Sequence, residues 1–229
     1  TAFPLVNWEA MDQALTARSP SFSAWVTKHV TGNCGVGACM LKWGFWDTDA
    51  CPCCEQATET STHFPFCEHL DMMDTYKTQV KEFNDWMTDS DTDPCIAHFF
   101  SSTLQQRNFP LDSALPADMH TAEQHQRHLG WNNILFGRLA TEWMHLQHKH
   151  LSMKRSRKSA ERWAADMTYR LLQISHSLWM TRNGILHERD RQGLLLKDGE
   201  TLQTAITHCY NRGLGALLRV DHARLRRVV

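Results

Sequence analysis

The chain has 229 residues, of which 42% are hydrophobic and nine are tryptophan, so it can bury a substantial core in one large or two small domains. It shows no apolar run of membrane-spanning length and no signal peptide. Its eight cysteines are too few for a disulfide-dense scaffold, so we expect a nuclear or cytoplasmic protein.

The net charge of -1 hides an asymmetry between the two parts of the chain. Residues 1–130 carry 7 Lys and Arg against 17 Asp and Glu, whereas residues 131–229 carry 17 against 8. Either the two parts attract each other or the basic part binds a polyanion.

Helical periodicity dominates the N-terminal part. Residues 7–17 are predicted to form a short helix, and a second helix, capped by Ser21 or Ser23, is predicted to end near Gly32. A third helix is predicted over residues 36–46. Its side chains that are expected to face a core are Met40, Trp43 and one of Phe45 and Trp46.

Two further helices are predicted beyond the cysteine-rich segment 51–67. The first extends to about Met87 and is interrupted by the aspartate-rich stretch 89–93, where Asp93 caps a short helix through Phe100. Residues 106–120 contain two prolines and are predicted to be a linker near the boundary between the acidic and the basic part.

Two long helices are predicted in the basic part, separated by the cationic run 154–158. Apolar residues recur every three or four positions in each, which places them on one helical face. They are Trp131, Leu135, Leu139, Trp143 and Leu146 in the first helix, and Trp163, Met167, Leu171, Ile174 and Leu178 in the second. A last helix is predicted over residues 198–210.

These elements predict an all-α, bundle-like multi-helix domain with a small loop stapled at the cysteines. The one candidate for strand structure is a short β-hairpin at the cysteines. We divide the chain into an acidic helical region that contains the cysteines (1–105), a linker (106–120) and a basic region of long helices (121–229).

The cysteine-rich segment has the spacing of a structural zinc site. Cys51, Cys54, His63 and Cys67 form the pattern C-x2-C-x8-H-x3-C. Three thiolates and one imidazole would complete a tetrahedral shell and leave no open position for a substrate. Because His63 and Cys67 are four residues apart, we predict that they share one face at the start of the following helix.

Neighbouring residues leave the ligand set partly open. Cys53 adjoins one candidate ligand and His69 lies two residues beyond another, so either could replace a member of the set. Cys34 and Cys39 could contribute to a second site, but isolated thiols are more often small buried side chains.

The cysteine segment and its surroundings resemble the zinc-binding region that follows the polymerase in non-LTR retrotransposon reverse transcriptases. The matching residues are the Cys/His pattern with Glu59-Thr60 inside it, Thr31-Gly-Asn-Cys-Gly-Val-Gly and Trp43-Gly-Phe-Trp. Later motifs look like the helical tail of such proteins in microalgal and related genomes: Gly130-Trp131, Gly137-Arg138, Glu142-Trp143, Arg162-Trp163 and Trp179-x-x-Arg182-Asn183-Gly-Ile-Leu-His187. The resemblance covers most of residues 7–190.

This resemblance implies a zinc-stabilised C-terminal domain, with Cys51, Cys54, His63 and Cys67 as ligands, that helps a polymerase engage its RNA template or target DNA. The implied partners are RNA or DNA and the remainder of a reverse transcriptase polypeptide, and no membrane. Cys53 departs from the family pattern, in which a basic or polar residue commonly stands between the ligand cysteines. The chain has no Tyr-x-Asp-Asp polymerase motif, so we predict that it is not itself an enzyme.

A nucleic-acid surface is predicted on the basic part. Clustered Lys and Arg neutralise phosphates and give salt-sensitive, largely sequence-independent binding. The candidate residues are Lys154, Arg155, Arg157, Lys158, Arg162 and Arg182. Two alternatives stay open: the cationic run could be a solvated loop between helices, and Arg182 could pair with a carboxylate.

Two other functions are compatible with the sequence. A metal-dependent nuclease could use His145 and His148 with Glu142 or Glu123, but the chain has no His-Glu-x-x-His motif, nucleophile elbow or phosphate loop. A protein-docking scaffold with a structural zinc would instead use the charged parts and the Trp-rich helices without contacting nucleic acid. The nucleic-acid-binding module is the function that we predict.

Overall fold

A computed structural model describes residues 2–16, 18–107, 115–187 and 207 of the protein, and these residues form eight α-helices joined by turns and short 3-10 helices. The predicted all-α class is confirmed. In this described part the hairpin expected at the cysteines is reduced to an isolated antiparallel bridge between Ala50 and Thr58. None of the described helices combines the length and the apolar composition that crossing a membrane requires.

The α-helices follow one another along the chain as α1 (Trp8–Leu15), α2 (Pro20–Val30), α3 (Gly37–Lys42), α4 (Leu70–Asp89), α5 (Pro94–Gln106), α6 (His120–Leu129), α7 (Thr141–Met153) and α8 (Ala160–His187). The chain divides into two compact units, Thr1–Arg182 and Asn183–Val229, and the second contains only the last turn of α8 among these helices. The helix predicted over 198–210 lies outside the described residues.

Capping side chains explain where several helices begin. Asp93 caps α5 as predicted, with its Oδ1 accepting the N–H of Cys95 at 2.8 Å. Ser19 caps α2, so the prediction of Ser21 or Ser23 is wrong by two or four residues. The reason is Pro20, which has no N–H to lose and a φ suited to the first helical position.

The helix predicted over 36–46 is shorter than its apolar pattern suggests. It ends at Lys42, because Gly44 adopts a φ of 75° and reverses the chain. As a consequence Trp43 and Phe45 do not face the core: they are 43% and 71% exposed.

The first of the two long helices is broken into three pieces. Gly130 and Gly137, with φ of 87° and 74°, separate α6, a 3-10 helix at Trp131–Phe136 and α7. Four of the five predicted apolar residues are nevertheless buried; Leu146 is half-buried. The second long helix is confirmed as α8, and its five predicted core residues are all buried.

Aromatic residues from both sides of the predicted linker share one core. Phe99 and Phe100 of α5 pack against Trp131 and Trp143, with ring centroids 4.9 to 6.1 Å apart. The boundary predicted at 106–120 therefore falls within the compact unit Thr1–Arg182. Residues 108–114 of that segment lie outside the described residues.

Candidate metal centre and basic surface

The cysteine segment crosses from α3 to α4 without an intervening α-helix. The bridge between Ala50 and Thr58 closes a tight loop around the first two cysteines, and Glu55, with a φ of 57°, turns the chain within it. A 3-10 helix, Phe64–Phe66, lies between His63 and Cys67. The two side chains therefore do not share a face of an α-helix as predicted, because α4 begins only at Leu70.

The four predicted ligands, Cys51, Cys54, His63 and Cys67, form one group, called here the metal cluster: their ligand atoms all lie within 4.8 Å of one another. The Sγ atoms of Cys51 and Cys67 are 3.8 Å apart, and Cys54 Sγ is 3.5 Å from His63 Nε2. A tetrahedron with bonds of about 2.3 Å to sulfur and about 2.0 Å to nitrogen has S–S edges of about 3.8 Å and S–N edges of about 3.5 Å. These two edges match a tetrahedral metal ion, and the four side chains together could hold one.

Cys53, the alternative to Cys54, has a different role. Its thiol donates a hydrogen bond to Cys51 Sγ, which is the largest cause that lowers the pKa of Cys51; backbone N–H groups of Cys54 and Cys53 act in the same direction, and burial opposes them. The same bond and burial raise the pKa of Cys53, and its thiol is not among the four ligand atoms that lie within 4.8 Å of one another. His69 also lies outside this group of ligand atoms, and its Nδ1 accepts the N–H of Asp71 at the start of α4.

Within the part of the chain that the structure describes, the upstream cysteines do not form a second metal group. Cys34 is buried, and burial raises the pKa of its thiol to about 12. Cys39 donates its thiol to the carbonyl of Gly32 at 3.3 Å. Among the described residues the metal cluster is the only set of side chains with metal-binding geometry.

An aromatic side chain anchors residues 49–67, called here the metal-binding segment, in the core. Phe64, between the third and fourth ligands, is fully buried. Its ring meets Trp179 of α8 edge to face at 5.8 Å and His29 of α2 at 5.6 Å. The segment is therefore continuous with the hydrophobic core and not an appendage.

Glu59 is a buried carboxylate inside the metal-binding segment, and no part of it is exposed to solvent (0%). Its Oε1 accepts Arg182 Nε at 2.7 Å, and its Oε2 accepts Arg182 Nη2 and the backbone N–H of Gly37, both at 2.6 Å. A buried charge is tolerated when it is paired and its lone pairs are filled, and both conditions hold here. Glu59 joins the metal-binding segment to α3 and α8.

Arg182 is buried, and its guanidinium is surrounded by a backbone carbonyl and two tryptophan rings in addition to Glu59. It is 2% exposed, donates to the carbonyl of Gly35 at 3.3 Å, and lies against the rings of Trp46 and Trp179 at 5.4 and 4.9 Å. The alternative in which Arg182 pairs with a carboxylate is the one observed. Its buried guanidinium is not available to phosphates, so we remove Arg182 from the candidate nucleic-acid surface.

Gly37 lets the metal-binding segment cross the start of α3 at close range. A Cβ at this position would lie 2.5 Å from the carbonyl oxygen of Asp49, a backbone atom that cannot move aside cheaply. The same crossing is held by the N–H of Ala38, which donates to the Glu59 carbonyl at 3.0 Å. Glycine is therefore required by the close approach of two backbones.

Arg107 contacts the metal-binding segment, although the sequence analysis did not identify it as a functional residue. It ends α5 with a φ of 51°, and its Nη2 donates to the carbonyls of Pro65 and the ligand Cys67, both at 3.3 Å. Its guanidinium also lies 4.8 Å from the ring of Tyr76 on α4. The residue is 40 positions from Cys67, so no local pattern could have revealed the contact.

The remaining cationic candidates form an exposed strip between α7 and α8. The exposed residues are Lys154, Arg155, Arg157 and Lys158, which we call the basic loop together with Ser156, and Arg162 in the first turn of α8. The prediction of an accessible cationic segment is consistent with their exposure.

An acidic turn, residues 89–93, supports part of the basic loop. Lys154 Nζ lies 2.6 Å from Asp91 Oδ1, and this bond lowers the pKa of Asp91. Lys158 Nζ donates to the carbonyl of Asp89 at 3.3 Å. Arg155 and Arg157 have no carboxylate partner within the described part of the chain.

The metal cluster and the basic loop lie at opposite ends of α4. Cys67 precedes the first residue of the helix, Leu70, by three positions, whereas its last residue, Asp89, contacts Lys158. A helix of 20 residues is about 30 Å long. The two candidate sites are therefore separate.

The histidine-rich candidate for a nuclease is not assembled in the described residues. His145 Nδ1 lies 3.1 Å from Glu142, but His148 is exposed and Glu123 pairs with Arg127 at 2.7 Å. These side chains form ordinary helix-surface pairs at i,i+3 and i,i+4.

Comparison of the chain with models of protein families, with curated proteins and with solved structures found no match. Its function therefore has to be argued from the metal cluster, the basic loop and their surroundings.

Proposed function

We propose that the protein is a non-catalytic module, stabilised by a structural zinc ion, that binds RNA or DNA through the basic loop. The observation that carries this proposal is the pair Arg155 and Arg157, exposed at the tip of a cationic loop and without acidic partners among the described residues. As the C-terminal part of a retroelement reverse transcriptase, such a module would help the polymerase hold its template or target.

The donor set supports zinc as the metal. Three thiolates and one imidazole suit a borderline-soft ion that prefers four tetrahedral ligands, and hard cations such as Mg²⁺ and Ca²⁺ prefer oxygen. Cys51 and Cys67 are buried and Cys54 and His63 half-buried, so the ion would sit at the edge of the core. With four protein ligands it would contribute folding energy and no catalysis.

The zinc assignment is tested by ligand substitution. We expect Cys51→Ser and Cys54→Ser to lose stoichiometric zinc and to expose residues 45–70 to proteolysis. The control is Cys95→Ser, because Cys95 is exposed and lies outside the metal cluster. Full zinc occupancy in either ligand variant would show that the ligand assignment is wrong.

Electrostatics make the nucleic-acid proposal measurable. Each phosphate contact releases counterions, so the logarithm of the affinity falls linearly with the logarithm of salt concentration. We expect Arg155→Gln/Arg157→Gln to weaken binding to labelled single- and double-stranded RNA and DNA at least tenfold and to reduce the salt slope by about 1 to 2.

The matched control is Lys77→Gln/Lys81→Gln on α4, which removes the same charge from exposed side chains that already pair with Asp74 and Asp85. We expect this variant to bind almost as the parent does. An equal loss in both variants would indicate attraction by net charge alone, and no binding at low salt would overturn the proposal.

A protein-docking scaffold is the second candidate, and the exposed turn after α3 favours it. Leu41, at the end of α3, is 42% exposed, and Trp43 and Phe45, in the turn that follows, are 43% and 71% exposed; Gly44 and α3 fix this turn. Rigid exposed aromatic residues are typical of protein contact sites. If Trp43→Ser/Phe45→Ser abolished self-association or partner binding in a protein without nucleic-acid affinity, this candidate would replace the first.

A further inference from the structure

The buried ion pair between Glu59 and Arg182 connects the metal-binding segment to residues 175–182, which we call the distal part of α8. The pair spans 123 positions of sequence, and both oxygens of the carboxylate are used. Glu59 stands between the second and third ligands, five residues after Cys54 and four before His63. A metal ion that joins these two ligands therefore fixes the short loop on which Glu59 lies.

We propose that Glu59 and Arg182 are positioning residues of the metal site, which couple metal binding to the docking of the distal part of α8. The inference rests on the metal binding that the proposed function requires. When the ligands are held together, Glu59 is presented to Arg182; when Arg182 is docked, Glu59 and its loop are held in the metal-binding geometry.

The burial of both charges is the energetic reason why metal binding and the docking of α8 would be coupled. If the ion is released and the loop opens, Arg182 loses its bidentate acceptor while Trp46 and Trp179 still shield it from water. A buried charge without a partner is strongly unfavourable, so the end of α8 has to loosen until the guanidinium is hydrated. Removal of the metal should therefore loosen the distal part of α8, although this helix provides no ligand.

Thermodynamic reciprocity gives the proposal a second consequence. If metal binding favours the docked state of α8, docking must favour metal binding by the same factor. Arg182 contributes no atom to the cluster, yet its replacement should weaken metal affinity. A residue that only supported the core would lower the stability of the protein without this specific effect.

The first measurement is zinc affinity, obtained by competition with a chromogenic chelator. We expect Arg182→Met to bind zinc at least tenfold more weakly than the parent, and Arg182→Lys, which keeps the charge, to recover part of the loss. The control is Gln147→Leu, which removes a buried polar side chain at the acidic turn, at the other end of α4. This control should lose stability but keep its zinc affinity within twofold.

The second measurement is hydrogen exchange of α8 in the parent protein. We expect chelation to accelerate the exchange of amides near residues 175–182 at least tenfold, while amides near residues 163–171 keep their protection. In Arg182→Met the exchange of residues 175–182 should no longer respond to metal. If this variant does not fold, Glu59→Gln, which keeps one oxygen acceptor for Gly37 but replaces the other oxygen with an NH2 donor and removes the negative charge that pairs with Arg182, should weaken zinc binding severalfold.

The outcomes separate the inference from the proposed function. Stoichiometric zinc binding with unchanged affinity in the variants and unchanged exchange in α8 would overturn the coupling and leave the zinc module standing. An absence of zinc binding by the parent protein would overturn both. Weaker affinity together with metal-dependent exchange of distal α8 would support the coupling.

Discussion

His29 is a neutral imidazole enclosed in the core of the protein. Its ring is stacked between Trp25 and Phe136, with centroids 4.7 and 4.4 Å away, and Nε2 lies 3.1 Å from the carbonyl of Leu135. Burial is the main cause that lowers the pKa of His29 from 6.5 to about 4. The folded state therefore excludes a proton that the unfolded chain accepts.

This difference makes part of the stability depend on pH. Above pH 6.5 the ring is neutral in both states and its contribution is complete. As the pH falls from 6.5 to 4 only the unfolded chain becomes protonated, so the free energy of unfolding declines, by about 3 kcal/mol in total.

We expect His29→Phe to flatten this dependence, because a phenyl ring fills the same stack and cannot be protonated. The carbonyl of Leu135 keeps a partner, since Ser175 Oγ donates to it at 2.8 Å. The measurement is urea unfolding of both proteins between pH 7 and pH 4 at equal metal loading, so that ionisation of the metal ligands cancels in the difference. Parallel pH profiles would contradict the assignment.

At the scale of elements, Gln147 of α7 holds the acidic turn between α4 and α5. This buried side chain accepts the N–H of Asp93 at 2.8 Å and donates to the carbonyl of Asp91 at 2.9 Å. Trp163 of α8 reinforces the turn by donating to the hydroxyl of Thr92 at 2.9 Å. The turn is thus fixed by helices from the basic half of the chain.

We expect Gln147→Leu to destabilise the protein by about 2 kcal/mol, because it leaves two backbone groups without partners. Gln124→Leu on α6 is the matched control: its side chain is exposed, so the change should stay within about 0.5 kcal/mol. Both values come from denaturant unfolding monitored by circular dichroism. Equal stability of the two variants would show that water replaces Gln147 at the turn.

The helices that could be predicted from the sequence are those in which periodicity is not interrupted. α8 has an unbroken apolar face, and its predicted core residues are buried. Periodicity failed at Gly44, Gly130 and Gly137, whose positive φ values end helices that the apolar pattern would continue. The pattern records which side chains are buried, and a glycine decides whether the backbone between them remains helical.

The candidate site shows the same division between local and distant information. The four metal ligands fall within 17 residues, so their spacing alone brought them together in the prediction. Glu59 and Arg182 are 123 positions apart, and the sequence offered only the general expectation that Arg182 pairs with a carboxylate. Which carboxylate it meets is decided by the packing of α8 against the metal-binding segment.

At the scale of the whole molecule, the charge asymmetry is partly neutralised within the fold. The acidic turn faces the basic loop, and Lys154 Nζ pairs with Asp91 Oδ1 at 2.6 Å. Exposed pairs of this kind stabilise little, so their main effect is to place the loop. Within the basic loop, Arg155 and Arg157 are then the two cations for which the described residues provide neither a carboxylate nor a carbonyl contact.

The separation of the two candidate sites leads to a prediction about metal removal. The metal cluster and the basic loop are separated by about 30 Å of α4, and no described contact of the basic loop involves a residue of the metal-binding segment. The loop is instead positioned by α7, the acidic turn and the first turns of α8. We therefore expect chelation of zinc at low temperature to leave nucleic-acid affinity within about threefold, as measured by fluorescence anisotropy.

Two controls define what this measurement means. Circular dichroism has to show that the chelated protein keeps most of its helix, and Arg155→Gln/Arg157→Gln has to remain defective with and without metal. If chelation abolished binding while the helices persisted, the nucleic-acid surface would have to include the metal-binding segment. In that case the exposed turn at Trp43 and Phe45, which adjoins that segment, would become the first surface to substitute, because aromatic side chains can stack on bases.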